Sequence, residues 1–322
     1  MARIFTEGFE MQDLLFFDAT GSAGFSTPRS GAASLNLGYQ GWGNKTIVDL
    51  AEAYFRFGFR FNGYQGAIFI WYNGGTRLGY IGIDSSRRLV IYTGDVLRAT
   101  GTIVLSLSAW YLIEVHVLIS DTGVVEVRLD GILDVSYSGD TKPGAEETIN
   151  VCRYCGNDVQ FDDLAMNDTT GAVDNSWCGD GKVVMLTPNA NGDLSQLMGS
   201  DADQIDNYLL VDEVPKDNDT TYVEGSVVDE KDLYSFTDFG LTVQAIKRVW
   251  AEARARDTVA DAGLVALALK TYDTEYVGPD VTLFTTFTKQ ILGTVHTVNP
   301  NTSAAWTPAE LDALQAGPVT RS

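Results

Sequence analysis

From Tyr54 to Phe61 the chain reads YFRFGFRF, with phenylalanine at every second position and Tyr, Arg, Gly and Arg between. On a helix, Phe55, Phe57, Phe59 and Phe61 would be spread around the axis. On a strand, successive side chains point to opposite faces, so the four rings share one side and the polar residues the other. The same two-residue period recurs. AIFIWYNGGTRLGYIGID reads as a hairpin that turns at Asn73-Gly74-Gly75. SSRRLVIYTGD supplies a turn and a short strand. WYLIEVHVLISDTGVVEVRLDGILDVSYSG gives three runs separated by Asp121-Thr122-Gly123 and Asp130-Gly131. Short alternating runs spaced about 8 to 12 residues apart, with no helical period, predict an antiparallel sandwich.

Length then sets the number of domains. One core rarely grows past about 250 residues, so a chain of 322 predicts two. The polar, turn-rich NDTTGAVDNSWCGDG places the boundary near residue 176. The expected architecture is all-β: two antiparallel β-sandwich (jelly-roll-like) domains, 1–176 and 177–322, with one short C-terminal helix. In the second domain KVVMLTP restarts a strand and NANGDLSQLMGSDADQIDN is a surface loop. LTVQAIKRVWAEARARD has the composition of a helix, yet Val243, Ala245, Val249, Ala251, Ala253 and Ala255 share one parity, which favours strand. GLVALALKTY and DVTLFTTFTKQIL continue as strands. TPAELDAL is the one helix: Thr307 caps it, Pro308 sits at its first position, Glu310 completes a capping box and Gly317 follows its end.

Charge narrows the partners. Lys and Arg total 22 against 43 Asp and Glu, a net charge of -21, which repels nucleic acid phosphates. No apolar run approaches the roughly 18 residues a membrane span needs. MARIFTEGFEMQDLLFF carries acids early and reads as no signal peptide. Three cysteines are too few for a disulfide framework.

No catalytic constellation assembles from the motifs. His116 and His296 both lie in alternating strands; Glu114 and His116 share a parity and are expected side by side on a solvent face. CRYC has two-ligand spacing, but Cys152 and Cys155 would face about opposite sides of a strand, and a zinc site needs about four ligands. A Cys155–Cys178 link is a weak alternative. No strand offers the paired carboxylates of a sandwich glucanase, and no phosphate loop is present. The acidic loops around Asp174 and Asp180, around Asp201, Asp203 and Asp206, and around Asp217 and Asp219 could hold calcium, though solvated loop charge accounts for them better. VQFDDLAMND crowds Asp162, Asp163 and Asp168 together. Strand parity separates adjacent aspartates, so hydrogen bonding to loop N–H groups is favoured over a metal or an acid–base dyad.

Several motifs in order resemble the laminin-G-like, or concanavalin-type, sandwich domains of bacteriophage virion proteins. These are FTEGFE, TPRSGAASLNLG, WYLIEVHV, VVEVRLDGILD and VQFDDLAMND, and beyond them WCGDGKVVMLTPNANGD, NYLLVDEVPKDNDTTYV and TSAAWTPAELDAL. The resemblance implies a non-enzymatic building block of a phage particle (tail tip, tail fibre, neck or head decoration), made in the host cytoplasm. It would dock to other virion proteins and form a homo-oligomer, with a trimer as one form, its second domain serving oligomerisation or docking. The alternative is a glycan-binding adhesin that contacts the host surface. Its sugar platform would be Tyr39 and Trp42 in GYQGWGN, or Tyr72 with Asn73 in WYNGG, unless these aromatics pack the ends of the sandwich.

Overall fold

A computed structural model describes residues 3–259, 263–287 and 290–321. They divide into two compact units, Met1–Met185 and Leu186–Ser322. The seam falls later than the expected 176 because residues 177–183 pack back onto the first unit, as described below. Strand is the dominant regular structure, taking about half of the residues, with one short α-helix among the described residues.

The first unit contains β1 (Arg3–Glu7), β2 (Ala19–Ser26), β3 (Ser34–Leu50), β4 (Glu52–Phe61), β5 (Gly66–Asn73), β6 (Thr76–Ile83), β7 (Leu89–Thr93), β8 (Val96–Thr100), β9 (Tyr111–Leu118), β10 (Gly123–Leu129), β11 (Ile132–Gly139), β12 (Ile149–Gly156) and β13 (Val159–Asn167). They hydrogen-bond in the order β11-β10-β9-β4-β13-β3-β12-β5-β6-β7-β8, with β1 added beside β13 and β2 beside β3. Every named pairing is antiparallel. The long β3 makes the sheet turn back on itself. Its residues Leu35–Leu37 pair with β13, whereas residues Gly41–Thr46 pair with β12. The sheet thus curls until it is nearly barrel-like, and one hydrophobic core fills the inside.

The alternation in β4 works as expected. Phe55, Phe57, Phe59 and Phe61 are fully buried. Phe57 lies at the centre, with ring centroids 5.4 Å from Phe69, 5.6 Å from Tyr154 and 5.5 Å from Phe161. Each such ring contributes roughly 1.5–3 kcal/mol by leaving water, and tilted or edge-on contacts add to that. The three-strand run forms β9, β10 and β11, with its turns where Asp121-Thr122-Gly123 and Asp130-Gly131 place them.

The second unit meets the sandwich expectation only in part. It holds a six-stranded antiparallel sheet made of Pro188–Ser195, Asp232–Phe236, Gln315–Thr320, Leu264–Thr271, Thr274–Val277 and Val281–Thr282. Two short ladders, Met198–Gly199 with Val223–Glu224 and Glu252–Arg254 with Gln290–Leu292, stand beside it. Residues 182–187 are not a strand; the strand begins at Pro188 and takes in much of the expected surface loop. Residues 243–256 are extended rather than helical, but pair only at Ile246, Val249 and Glu252–Arg254. Within DVTLFTTFTKQIL only Val281–Thr282 and Gln290–Leu292 are strand, and Thr288 and Lys289 lie outside the described residues. The helix spans Pro308–Asp312 with Thr307 as N-cap and a complete capping box. Gly317 is not its stop signal. It sits in the last strand, where an added Cβ would come 2.1 Å from the Asp232 carbonyl oxygen, so the strands there approach too closely for a side chain.

Candidate functional site

The outer face of β3, β12, β5, β6 and β7 carries a row of aromatic side chains around one arginine. In β12, INVCRYCG, Cys152 and Tyr154 turn into the core, leaving Val151, Arg153 and Cys155 on the outside. Arg153 stands directly opposite Asn44 of β3 and Ile70 of β5. Trp42 is opposite Cys155 and Tyr72 is opposite Val151, so both lie diagonal to Arg153 on the same face. Diagonal partners are within reach of long and aromatic side chains. The Arg153 guanidinium carbon lies 5.0 Å from the Trp42 ring centre and 5.2 Å from that of Tyr72, both cation–π distances. Its Nε donates to Asn44 Oδ1 at 2.7 Å, which fixes the plane of the fork. Trp42 is itself laid down on β2 at Gly21, where a Cβ would come 2.7 Å from the indole nitrogen.

The row continues across the sheet. Ile70 pairs with Tyr80, and Tyr80 pairs with Tyr92, their rings stacked at 4.4 Å and 8°. Neighbouring strands lie about 4.8 Å apart, so from β3 to β7 the row runs roughly 19 Å. At the Trp42 end it opens into a depression of about 280 Å³ lined by Gln40, Trp42, Tyr64, Ile70, Arg153 and Asn157 among others. Gln40 has a left-handed backbone (φ 52°), and its N–H is held by the Asn157 side chain.

The structure therefore brings two of the four sequence candidates, Trp42 and Tyr72, to one place, and neither packs an end of the core. Tyr39 is 76% exposed, three residues before Trp42. Asn73 is committed elsewhere: its amide donates to the Thr148 carbonyl at 3.0 Å and hydroxyl at 2.9 Å, tying the hairpin turn to the segment before β12. Arg153, Tyr80 and Tyr92 escaped the sequence reading. Parity in VCRYC and VIYTG could have placed them outward, but the side-by-side order of β12, β5, β6 and β7 was not readable.

The aspartates of β13 required a correction. Parity would send Asp162 and Asp163 to opposite faces, but β13 is bulged against β4 between Asp162 and Ala165, and Asp163 is left-handed (φ 51°). Both carboxylates, fully buried, converge on the loop at residues 29–30. Asp162 accepts the N–H groups of Arg29 at 2.7 Å and Ser30 at 3.1 Å. Asp163 accepts from Arg29 Nη1 at 2.8 Å, from Ser30 Oγ at 2.9 Å and from the Val183 N–H at 2.8 Å. Gly58 leaves the space for this, since a Cβ there would meet Arg29 Cδ at 2.7 Å. Glu10 joins the group, accepting the Ala32 N–H. Burial pushes its carboxyl up to about 8 and that of Asp162 up to about 7, each raised further by neighbouring charge. Asp168 instead caps its own turn through Thr170.

Glu114 is not on a solvent face. It is 2% exposed and accepts the Gly179 N–H at 2.7 Å beneath the chain at residues 177–181. His116 lies between Glu52 at 2.8 Å and Glu126 at 3.0 Å, stacked on Tyr54 at 4.3 Å, with Trp177 edge-on to both rings. Arg128 in turn covers the Trp177 ring at 3.8 Å. These contacts close residues 177–181 over the sheet, and they account for the late seam.

Cys152, Cys155 and Cys178 are all free thiols, so the Cys155–Cys178 link is not formed. The acidic loops are engaged locally: Asp180 pairs with Arg29, Asp219 with Arg256, and Asp203 and Asp217 accept nearby N–H groups. Among the described residues no group of three or more His, Cys, Asp or Glu side chains is placed to hold a metal ion.

The first unit is one antiparallel sheet of thirteen strands curled around a single core. No family model matches the sequence, and no curated protein matches it. Among solved structures, a cellulose-induced protein is similar at 17% identity, over 55% of this chain and 100% of its own, with a TM-score of 0.43. An endo-β-1,4-glucuronan lyase from the fungus Trichoderma reesei is similar at 16% identity, over 55% and 100%, with a TM-score of 0.40. Domain 4 of an extracellular arabinanase from Geobacillus stearothermophilus, solved with arabinotriose, is similar at 12% identity, over 52% and 92%, with a TM-score of 0.40. These neighbours correct the expectation of a non-enzymatic phage building block. One is a polysaccharide lyase, one is a domain solved with an oligosaccharide, and none of the three is a virion protein. Neither the virion role nor the exclusion of an enzyme is retained.

Proposed function

We propose that residues 1–185 bind a glycan, laid across the outer face of β3, β12, β5, β6 and β7. The observation that carries this reading is the Trp42–Arg153–Tyr72 sandwich beside the Tyr80–Tyr92 stack. Sugar rings present flat C–H faces, and an aromatic platform buries them while flanking polar groups meet the hydroxyls. Gln40, Asn44 and Asn157 supply amides at that position. A contiguous aromatic row on the wet side of a sheet, rimmed by polar groups, marks a binding surface rather than scattered exposure. The neighbours named above support it to the extent that two are named for a glycan they cleave or hold.

The experiment is a glycan array probed with the purified chain, followed by calorimetry on the best ligand with Trp42→Ala and Tyr72→Ala. Binding that each substitution weakens by tenfold or more supports the proposal. Binding unaffected by both, or no glycan bound at all, removes it.

A further inference from the structure

We propose, resting on that reading, that the glycan carries carboxylate groups and that Arg153 receives one of them. The chain holds 43 acids against 22 bases. Arg3, Arg29, Arg77, Arg88, Arg256 and Arg321 each pair with an aspartate, whereas Arg56, Arg60 and Arg98 spend their guanidinium hydrogen bonds on neutral oxygens and Arg128 covers Trp177. Arg153 forms no ion pair among the described residues. Its single side-chain hydrogen bond runs from Nε to a neutral amide, Asn44. That bond uses neither terminal amino group, and those two are the end-on fork that matches a carboxylate.

The surroundings fit the same ligand. No carboxylate lines the depression; beside Arg153 its lining carries the uncharged polar groups of Gln40, Asn157 and Tyr64, so the charge presented there is positive. Trp42 and Tyr72 hold the guanidinium from two sides, which limits the freedom lost on binding and shields it from water. A sugar ring set beside the guanidinium, against the edges these aromatics leave open, would bring a ring carboxylate to the fork. The overall charge of -21 opposes an anionic ligand at long range, but screening at physiological salt confines that repulsion to about 8 Å, while the fork acts at contact. A neutral glycan would leave this charge unanswered.

The test uses the intact chain on an array of uronic- and sialic-acid oligosaccharides, each paired with the counterpart whose carboxylates have been reduced to alcohols. An acidic member is expected to bind, with its reduced counterpart weaker by about tenfold or more, the scale of one charged hydrogen bond. Arg153→Gln is expected to remove that preference, with Arg153→Lys restoring only part of it. Because the reduced ligands are tested on unaltered protein, the result does not depend on how the variants fold. Equal binding of acidic and reduced members, or of neutral glycans alone, overturns this inference and leaves glycan binding standing. Binding to no member and to no neutral glycan overturns both.

Discussion

Replacing Glu10 by glutamine should make the first unit less sensitive to alkaline pH. Glu10 is 5% exposed; one carboxylate oxygen takes the Ala32 N–H, and the other is buried with no hydrogen-bond partner. Burial, reinforced by the charges of Asp162 and Asp163 and opposed by the Ala32 bond, raises its carboxyl from 4.5 to about 8. A folded-state value above the unfolded one means that the native protein keeps a proton the unfolded chain has released. The resulting stability is complete below about pH 4.5 and is lost as pH rises through about 8. A shift of roughly 3.5 units at 1.36 kcal/mol each is about 5 kcal/mol, and residual solvent screening reduces the working figure to about 3 kcal/mol. For a domain of this size that is on the order of 10 °C in Tm. The assay is thermal unfolding by circular dichroism at pH 5, 7 and 9. At pH 5, where Glu10 is already neutral, the two proteins should melt within a few degrees of each other. At pH 9 the variant should melt higher by about 10 °C. Asp162 and Glu10 repel one another when both are charged, so removing the Glu10 charge also eases the ionisation of Asp162 and adds to the difference at pH 9 in the same direction. Parallel Tm profiles from pH 5 to 9 would refute the reasoning.

Phe57→Ala should cost about 3–5 kcal/mol by urea denaturation, because the ring leaves a cavity among Phe69, Tyr154 and Phe161. Arg29→Ala strips the cation from a fully buried aspartate. Asp163 keeps Ser30 and Val183 as donors, so a loss of about 2–3 kcal/mol is expected in the same assay, and a loss below 1 kcal/mol would mean the pair is solvated. Asn73→Ala should lower stability by about 1 kcal/mol through its two bonds to Thr148 and leave glycan affinity unchanged; a tenfold affinity loss in calorimetry would place Asn73 in the site instead.

Part of the binding face was legible in the chain. GYQGWGN and WYNGG set aromatics next to glycines, and Trp42 and Tyr72 do meet around one guanidinium. Arg153 was hidden because nothing in VCRYC says which strands flank β12. Asp162 and Asp163 misled for a related reason: strict alternation assumes an unbroken ladder, and a bulge is an agreement between two strands that neither announces alone. Glu114 looked solvent-facing until residues 177–181 folded over it.

Periodicity by itself determined that this chain is built of strands, which rings face the core, and where several of its turns fall. These are local consequences of backbone geometry, repeated every two residues. Only the tertiary structure decided which strands become neighbours, where β3 passes from β13 to β12, and hence which outward side chains share a face. Strand order is set by contacts between residues far apart in the chain, and side chains a hundred positions apart, such as Trp42 and Arg153, meet only once that order exists.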